Sequence, residues 1–222
     1  MRTVFEVTWY AQSSFRLEVD GLRIYHDPFR IPPGEPLADV ILISHDHFDH
    51  CSPADIAKVR DPERTFVVAN PTAASTAELT PPVHVIRPGD SVEYRGLEVR
   101  AFPAYNLNKF RSPGVPFHPR ERDHVGFVCR AAGVSWYFAG DTDAIPEMAA
   151  IGPVDYAFLP VSGTYVMTAE EAVEAVRMLR PRIVFPMHYG AVVGSIADAQ
   201  RFAELVGDLA EVRILEPQGL PG

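Results

Sequence analysis

The segment His45-Asp46-His47-Phe48-Asp49-His50 constrains this chain more than any other, since it places three imidazoles and two carboxylates within six residues. It follows a continuous apolar run, Val40 to Ile43, which is typical of a strand buried on both faces. Imidazole and carboxylate form a ligand set suited to zinc and neighbouring metals. The chain is therefore predicted to hold a metal centre directly after a core strand.

The spacing inside this segment predicts two adjacent metal sites. His45 and His47 can point the same way, as alternate residues do, whereas Asp49 and His50 lie past a turn and can face a second ion. The alternative is a solvated polar loop. A chain with 8 histidines in 222 residues would show this pattern by chance about once per thousand chains, so the metal centre is favoured.

Periodicity and turn residues predict an opening β-meander, followed by strands that alternate with helices. Asp20-Gly21 is a hairpin turn signal, and Thr168 with Glu171 three residues later forms a capping box. The predicted strands are Val4 to Tyr10, Ser14 to Val19, Leu22 to Tyr25, Val40 to Ile43, Thr65 to Ala69, His84 to Ile86, Leu97 to Phe102, Val125 to Arg130, Ser135 to Phe138, Tyr156 to Leu159, Ile183 to Phe185 and Val212 to Leu215. The predicted helices follow Ser52-Pro53 to about Arg60, pass through Ile145 to Ala149, begin at Thr168, and run from Asp198 to Val206.

Two more metal-type side chains follow predicted strands. Asp141 comes after Tyr137 to Ala139, and His188 comes after Ile183 to Phe185. Open sheets gather their ligand sites at the carboxyl ends of strands. We therefore expect both side chains to join the His-rich segment.

An apolar strand followed by His-x-His-x-Asp-His, a later Gly140-Asp141 and a strand-end His188 together resemble the metallo-β-lactamase superfamily. The resemblance spans Val4 to about Leu215. It implies an α/β chain with a single hydrolase domain over residues 1–222. The implied architecture is a four-layer αββα sandwich of two mainly antiparallel sheets with helices outside.

The resemblance also implies which residues bind metal. The first ion would be held by His45 and His47, the second by Asp49, His50 and His188, and the carboxylate of Asp141 would bridge the two. A finer similarity to the branch that includes ascorbate-6-phosphate lactonase lies in Asp27-Pro28, Gly140-Asp141-Thr142-Asp143 and Pro186-Met187-His188-Tyr189-Gly190.

One position departs from the superfamily pattern. A further histidine usually serves the first ion after a strand that precedes the Gly-Asp pair, and here that place reads Pro103-Ala104-Tyr105-Asn106. The amide oxygen of Asn106 is one candidate ligand, and His118 from the following segment is another. Since an amide is a poorer zinc ligand than imidazole, a single-ion site is an open alternative.

The segment from Asn106 to His124 is predicted to be a functional lid, because it is long, rich in proline and basic. Lys109, Arg111 and His118 are its candidate substrate-binding residues. Lys109 and Arg111 could clamp an anionic substrate, although solvated lid charges are the favoured interpretation. Asp27 could hold a ligating histidine by its outer nitrogen, or it could serve a turn.

The resemblance implies a metal-dependent hydrolase that uses a metal-activated water. Asp49 would orient that water, and Tyr189 would help at the developing oxyanion or else serve packing. One or two divalent ions are expected, zinc first, with manganese or iron as alternatives. The predicted substrate is a small, anionic ester, lactone or phosphodiester. The alternatives are a single-iron oxygen- or thiol-dependent redox enzyme and a non-catalytic metal-binding module.

Charge and hydropathy limit the partners. The formal net charge of -9 disfavours nucleic acid and anionic membranes, which need clustered Lys and Arg. No apolar run reaches the roughly 20 residues of a membrane span. Cys51 and Cys129 are predicted to be free thiols, which favours a reducing cytoplasmic location.

Overall fold

Two β-sheets pack face to face in the computed structural model of this chain, which describes residues 5–76 and 83–221. The predicted four-layer αββα architecture is confirmed, because helices cover the outer face of each sheet. The predicted start of the first strand at Val4 lies outside the described residues. No helix within the described ranges is long and apolar enough to span a membrane.

The first sheet has six strands in sequential order. Its first three strands form the predicted antiparallel meander, and its last three pair in parallel. Asp20 and Gly21 both take positive φ angles, as a two-residue hairpin turn requires. The strands are β1 (Phe5–Ala11), β2 (Ser14–Val19), β3 (Leu22–His26), β4 (Val40–Ile43), β5 (Phe66–Ala69) and β6 (Val83–Val85).

Strand β4 is buried on both faces, as its apolar run predicts. Val40 and Leu42 belong to the core between the two sheets, whereas Ile41 and Ile43 pack under the helices on the outer face. This alternation places the residues after Ile43 at the rim where the two sheets meet.

The second sheet has seven strands in the order β15-β14-β13-β12-β11-β8-β7, and a two-stranded hairpin lies apart from it. The sheet strands are β7 (Ser91–Tyr94), β8 (Leu97–Pro103), β11 (Val125–Ala131), β12 (Val134–Phe138), β13 (Tyr156–Pro160), β14 (Ile183–Met187) and β15 (Glu211–Val212), and the hairpin is β9 (Phe110–Ser112) with β10 (Val115–Pro116). Half of this sheet is parallel, so the expectation of mainly antiparallel sheets was wrong. Helical crossovers join neighbouring strands here, and such crossovers produce parallel pairs.

Among the described residues, four α-helices form the outer layers: α1 (Pro53–Val59), α2 (Pro71–Thr76), α3 (Ala169–Leu179) and α4 (Ile196–Val206). Helix α3 begins with the predicted Thr168 capping box. Helix α4 begins two residues before the predicted Asp198, because Ser195 caps it and Asp198 completes a second box. The turn after Ile145 is a 3-10 helix, Pro146–Ala150, whose start has no side-chain cap. The predicted lid is also ordered, with the β9-β10 hairpin and a 3-10 turn at Arg120–Arg122.

Candidate metal centre

The ends of three strands bring the predicted ligands to one rim of the sandwich. His45 to His50 follow β4 of the first sheet, whereas Asp141 and His188 follow β12 and β14 of the second. Gly140 makes this approach possible, because a Cβ there would lie 2.9 Å from the Val125 carbonyl oxygen and its φ is +63°. His188 also takes a left-handed backbone conformation with φ 61°, a strained state that clusters at functional sites.

One group of ligand atoms comprises His45, His47, His118 and Asp141. His47 Nδ1 lies 3.1 Å from His45 Nε2 and 3.2 Å from His118 Nε2. Asp141 Oδ2 lies 3.2 Å from His118 Nε2 and 3.8 Å from His45 Nε2. With bonds of about 2.0–2.1 Å, the ligand atoms of a tetrahedral ion lie about 3.3 Å apart, so these four residues fit one ion.

A second group comprises Asp49, His50 and His188. Asp49 Oδ2 lies 3.7 Å from His50 Nε2 and 3.9 Å from His188 Nε2. Asp141 joins this group as well, since its Oδ1 lies 3.2 Å from His50 Nε2 and its Oδ2 lies 3.1 Å from His188 Nε2. The Asp141 carboxylate therefore stands between the two groups, where a bridging ligand would be.

Two buried polar atoms indicate that these residues fit a cation. His50 Nε2 and Asp141 Oδ1 are both inaccessible and face each other at 3.2 Å, but neither makes a hydrogen bond of good geometry, and buried polar atoms left in this state are rare in a folded interior. Burial would raise the pKa of Asp141, but His188 and His50 hold it well below its usual value. Burial lowers the pKa of His47 to about 4, which keeps that imidazole neutral, as metal ligation requires.

The outer ring nitrogens of four ligands are held by oxygen atoms. His50 Nδ1 contacts Asp27 Oδ2 at 2.7 Å, and Asp27 also accepts hydrogen bonds from the backbone N–H and hydroxyl of Ser44. The remaining pairs are His45 Nδ1 with Ser44 Oγ at 2.9 Å, His188 Nδ1 with Ser162 Oγ at 3.1 Å, and His118 Nδ1 with Asn106 Oδ1 at 3.0 Å. Such partners fix the orientation of a ligating imidazole.

His118, rather than Asn106, faces the first group. Asn106 Oδ1 accepts hydrogen bonds from both the backbone N–H and the ring of His118. Its amide nitrogen donates to the Tyr165 carbonyl oxygen at 2.9 Å. The side chain of Asn106 is thus engaged behind His118, so the structure does not place it as the ligand that we expected.

Asn106→Ala is expected to weaken the binding of one of two ions by about 10–100-fold, the usual cost of losing a group that orients a ligand. Titration of the protein against a chromophoric chelator measures this affinity. Asn108→Ala is the matched control, since Asn108 is exposed and bonds to Glu171 instead. Equal affinities for the variant and the parent protein would remove Asn106 from this role.

The ligands form the floor of a cleft of about 240 Å³. Its lining comprises His47, Phe48, Asp49, Phe117, His118, Asp141, Tyr165, His188 and Val192. Asp49 and His118 thus reach the cleft, as a water-orienting and a substrate-contacting residue must. The lining residues within the described ranges include no lysine or arginine.

The structure does not support Lys109 and Arg111 as substrate clamps. The Lys109 ammonium is buried and lies 2.6 Å from Glu171 and 3.3 Å from Asp143. The guanidinium of Arg111 stacks 5.6 Å from the Phe117 ring centroid and donates to the Phe117 carbonyl oxygen. Neither side chain lines the cleft, because each is held by contacts with other residues of the protein.

The structure does not support Tyr189 as a residue that stabilises the oxyanion. Its ring packs 4.9 Å from that of Trp9 and lines a separate cavity beside the carboxyl-terminal segment. Burial raises the pKa of its hydroxyl above the ordinary value. The residue next to a ligand points away from the centre, so the packing alternative holds.

Cys51 packs near the carbonyl oxygen of Ala73, and burial raises its pKa to about 12. The two cysteines are free and buried.

Two residues near the centre were not predicted from the sequence. The ring centroid of His124 lies 4.8 Å from that of His45, and its Nε2 lies 3.4 Å from Asp46 Oδ1. Ser162 was also missed, although its place just after β13 follows the same strand-end rule that found Asp141.

An αββα sandwich with candidate imidazole and carboxylate ligands at the rim between its sheets is the arrangement of the metallo-β-lactamase fold. The model of a family described as beta-lactamase superfamily domain matches residues 6–188. The chain is 33% identical over 225 residues to the UPF0173 metal-dependent hydrolase of Thermococcus onnurineus, covering 96% of each protein. The chain belongs to the metallo-β-lactamase superfamily and is a metal-dependent hydrolase.

Solved structures are also similar. A protein from Parabacteroides distasonis is 32% identical with a TM-score of 0.85, over 97% of this chain and 94% of that one. Igni18, a metallo hydrolase from Ignicoccus hospitalis, is 26% identical with a TM-score of 0.76, over 97% and 96% of the two chains. The finer similarity to the ascorbate-6-phosphate lactonase branch stays a prediction.

Proposed function

We propose that this enzyme hydrolyses an ester, lactone or phosphodiester of a small molecule with the help of two divalent cations, zinc in the first place. The observation that carries this proposal is the position of Asp141, whose two oxygens contact ligands of both groups on the floor of an open cleft. Manganese and iron remain alternatives, because His and carboxylate sets accept all three metals. The free buried thiols support a reducing, cytoplasmic location.

When bound, the cations would lower the pKa of a water and neutralise negative charge that develops on the substrate. The protein supplies the positioning. Asp49 lines the cleft and would accept a hydrogen bond from the attacking water and then its proton. As the water oxygen bonds to the carbonyl carbon or phosphorus, the bond to the leaving oxygen breaks, and that oxygen takes up the proton.

The rival readings lose support. The single-iron redox enzyme was considered because a first-site histidine was missing, but the ring of His118, held by Asn106, lies close enough to His45 and His47 to serve as that ligand, which supports a complete first site. A non-catalytic metal-binding module does not explain why the cleft opens directly above the ligands. An anionic substrate preference loses its basis, because Lys109 is paired with Asp143 and Glu171.

The proposal is tested by stripping the protein with a chelator and reloading it with zinc, manganese or iron. Hydrolysis of a panel of esters, lactones and phosphodiesters should vanish on stripping and return as metal is added, up to two ions per chain. Metal content is measured by elemental analysis in the same samples. Full turnover without metal would refute the proposal, and full recovery at one ion per chain would refute its two-ion form.

A further inference from the structure

The wall of the cleft is apolar, whereas its floor consists of the candidate metal ligands. Five of the nine lining residues are the ligands, and the other four are Phe48, Phe117, Tyr165 and Val192. The Phe48 side chain is 65% exposed, and that of Val192 is 41% exposed. Exposed apolar side chains gathered around a few convergent polar groups mark a recognition surface.

The aromatic side chains of this wall are held in place by other rings. Phe117 meets Tyr165 edge to face with ring centroids 4.7 Å apart, and Phe48 meets Phe29 in the same manner at 5.9 Å. Contacts of this geometry stabilise a pair of rings. The wall is therefore a positioned surface, suited to packing against an apolar group of the substrate.

The basic side chains near this wall do not line the cleft: Arg30, whose guanidinium lies 5.3 Å from the Phe29 ring centroid, lines the separate cavity that holds Tyr189, and the basic side chains of the lid are engaged elsewhere. Arg120 pairs with Glu147 at 2.8 Å, and Arg122 pairs with Asp46 at 2.7 Å. Together with Lys109 and Arg111, they account for the basic side chains of the lid. A charged substrate group that lies against the wall, away from the ligands, would meet only apolar side chains among the lining residues, and burying such a charge without a partner is costly.

We infer that the substrate of this site is a carboxylic ester or lactone whose acyl part is neutral and apolar, and that Phe48 and Val192 select it. This inference rests on the proposed function. In the reaction, water adds to the carbonyl carbon, the bond to the alkoxy oxygen breaks, and the products are a carboxylic acid and an alcohol. The cleft volume of about 240 Å³ is below the roughly 300–1,000 Å³ of drug-sized sites, so the acyl part is small.

The test uses methyl acetate, methyl hexanoate and monomethyl succinate, which share one leaving group and differ in the acyl part. In the zinc-loaded protein, kcat/KM should be at least about tenfold higher for the hexanoate ester than for the acetate, since each buried methylene favours binding by about fourfold. The succinate ester, with its remote charge, should be at least about tenfold poorer than the hexanoate. Acid release is followed at constant pH.

Binding of the product acids separates this inference from the proposed function. Calorimetry should rank hexanoate at least about tenfold tighter than acetate or succinate on the zinc-loaded protein, and Phe48→Ala should remove most of that preference. Phe110→Ala is the control, since Phe110 is 49% exposed but does not line the cleft. The preferred binding of succinate, or no ranking at all, would overturn the inference. Hexanoate preference without hydrolysis of any ester, lactone or phosphodiester would instead overturn the proposed function and leave the apolar wall as a binding surface.

Discussion

Asp141→Asn is expected to lower kcat for hydrolysis by about a thousandfold or more, the scale on which groups that stabilise transition-state charge act. The substitution keeps the size of the side chain and removes its negative charge. Asp141 contacts His50, His118 and His188 at 3.1–3.2 Å, so both groups of ligands lose their shared anion. The metal content should fall from two ions per chain to one or none, measured by elemental analysis.

Asp155→Asn is the matched control for this change. The carboxylate of Asp155 accepts hydrogen bonds from the backbone N–H and the hydroxyl of Ser135. Ser135 lies at the end of β12 opposite to Asp141. Its variant should keep full metal content and turnover. An Asp141→Asn protein with two ions and kcat within a few-fold of the parent would show that the bridging role is wrong.

Lys109→Met is expected to lower the free energy of unfolding by about 3 kcal/mol, the lower end for removing one partner of a buried ion pair, because Glu171 is partly exposed. Methionine retains most of the apolar stem. The change leaves Asp143, with a side chain only 2% exposed, without its cation. For a domain of this size the melting temperature should fall by about 6–12 °C, as measured by calorimetry.

Arg111→Met is the control, since Arg111 lies on the exposed face of the same lid and such changes usually stay within about 0.5 kcal/mol. The pair also separates two roles for Lys109. The structure assigns it to anchoring the lid, so the KM for anionic substrates should not change in the Lys109→Met protein. A raised KM together with an unchanged melting temperature would instead support Lys109 as a substrate-binding residue.

Local sequence patterns predicted much of the fold. The apolar run of β4 predicted burial on both faces, and Thr168 with Glu171 predicted the start of α3, because each signal acts within a few residues. The start of α4 was misplaced by two residues, since aspartate at the third helical position is a weaker signal than glutamate. Helix α2 and strand β7 were not predicted, because both are short elements.

The candidate site was predictable only where its residues follow strands. His45 to His50, Asp141 and His188 all do so, and the structure brings them together. The partners of the lid were not predictable, since Lys109 meets Glu171 and Asn106 meets His118 through tertiary contacts. Side chains 12 to 62 residues apart in the chain leave no periodic pattern, so the sequence offered only substrate contact or solvation for the basic residues of this segment.

The ligands come from both sheets, and this has a consequence for the lifetime of the protein. An ion held by His45 to His50 on one side and by Asp141 and His188 on the other would cross-link the two sheets, so the chain cannot open without releasing it. Its unfolding equilibrium would then depend on the concentration of free metal. Since cellular proteases degrade the open form, the abundance of this enzyme should follow the metal supply of the cell.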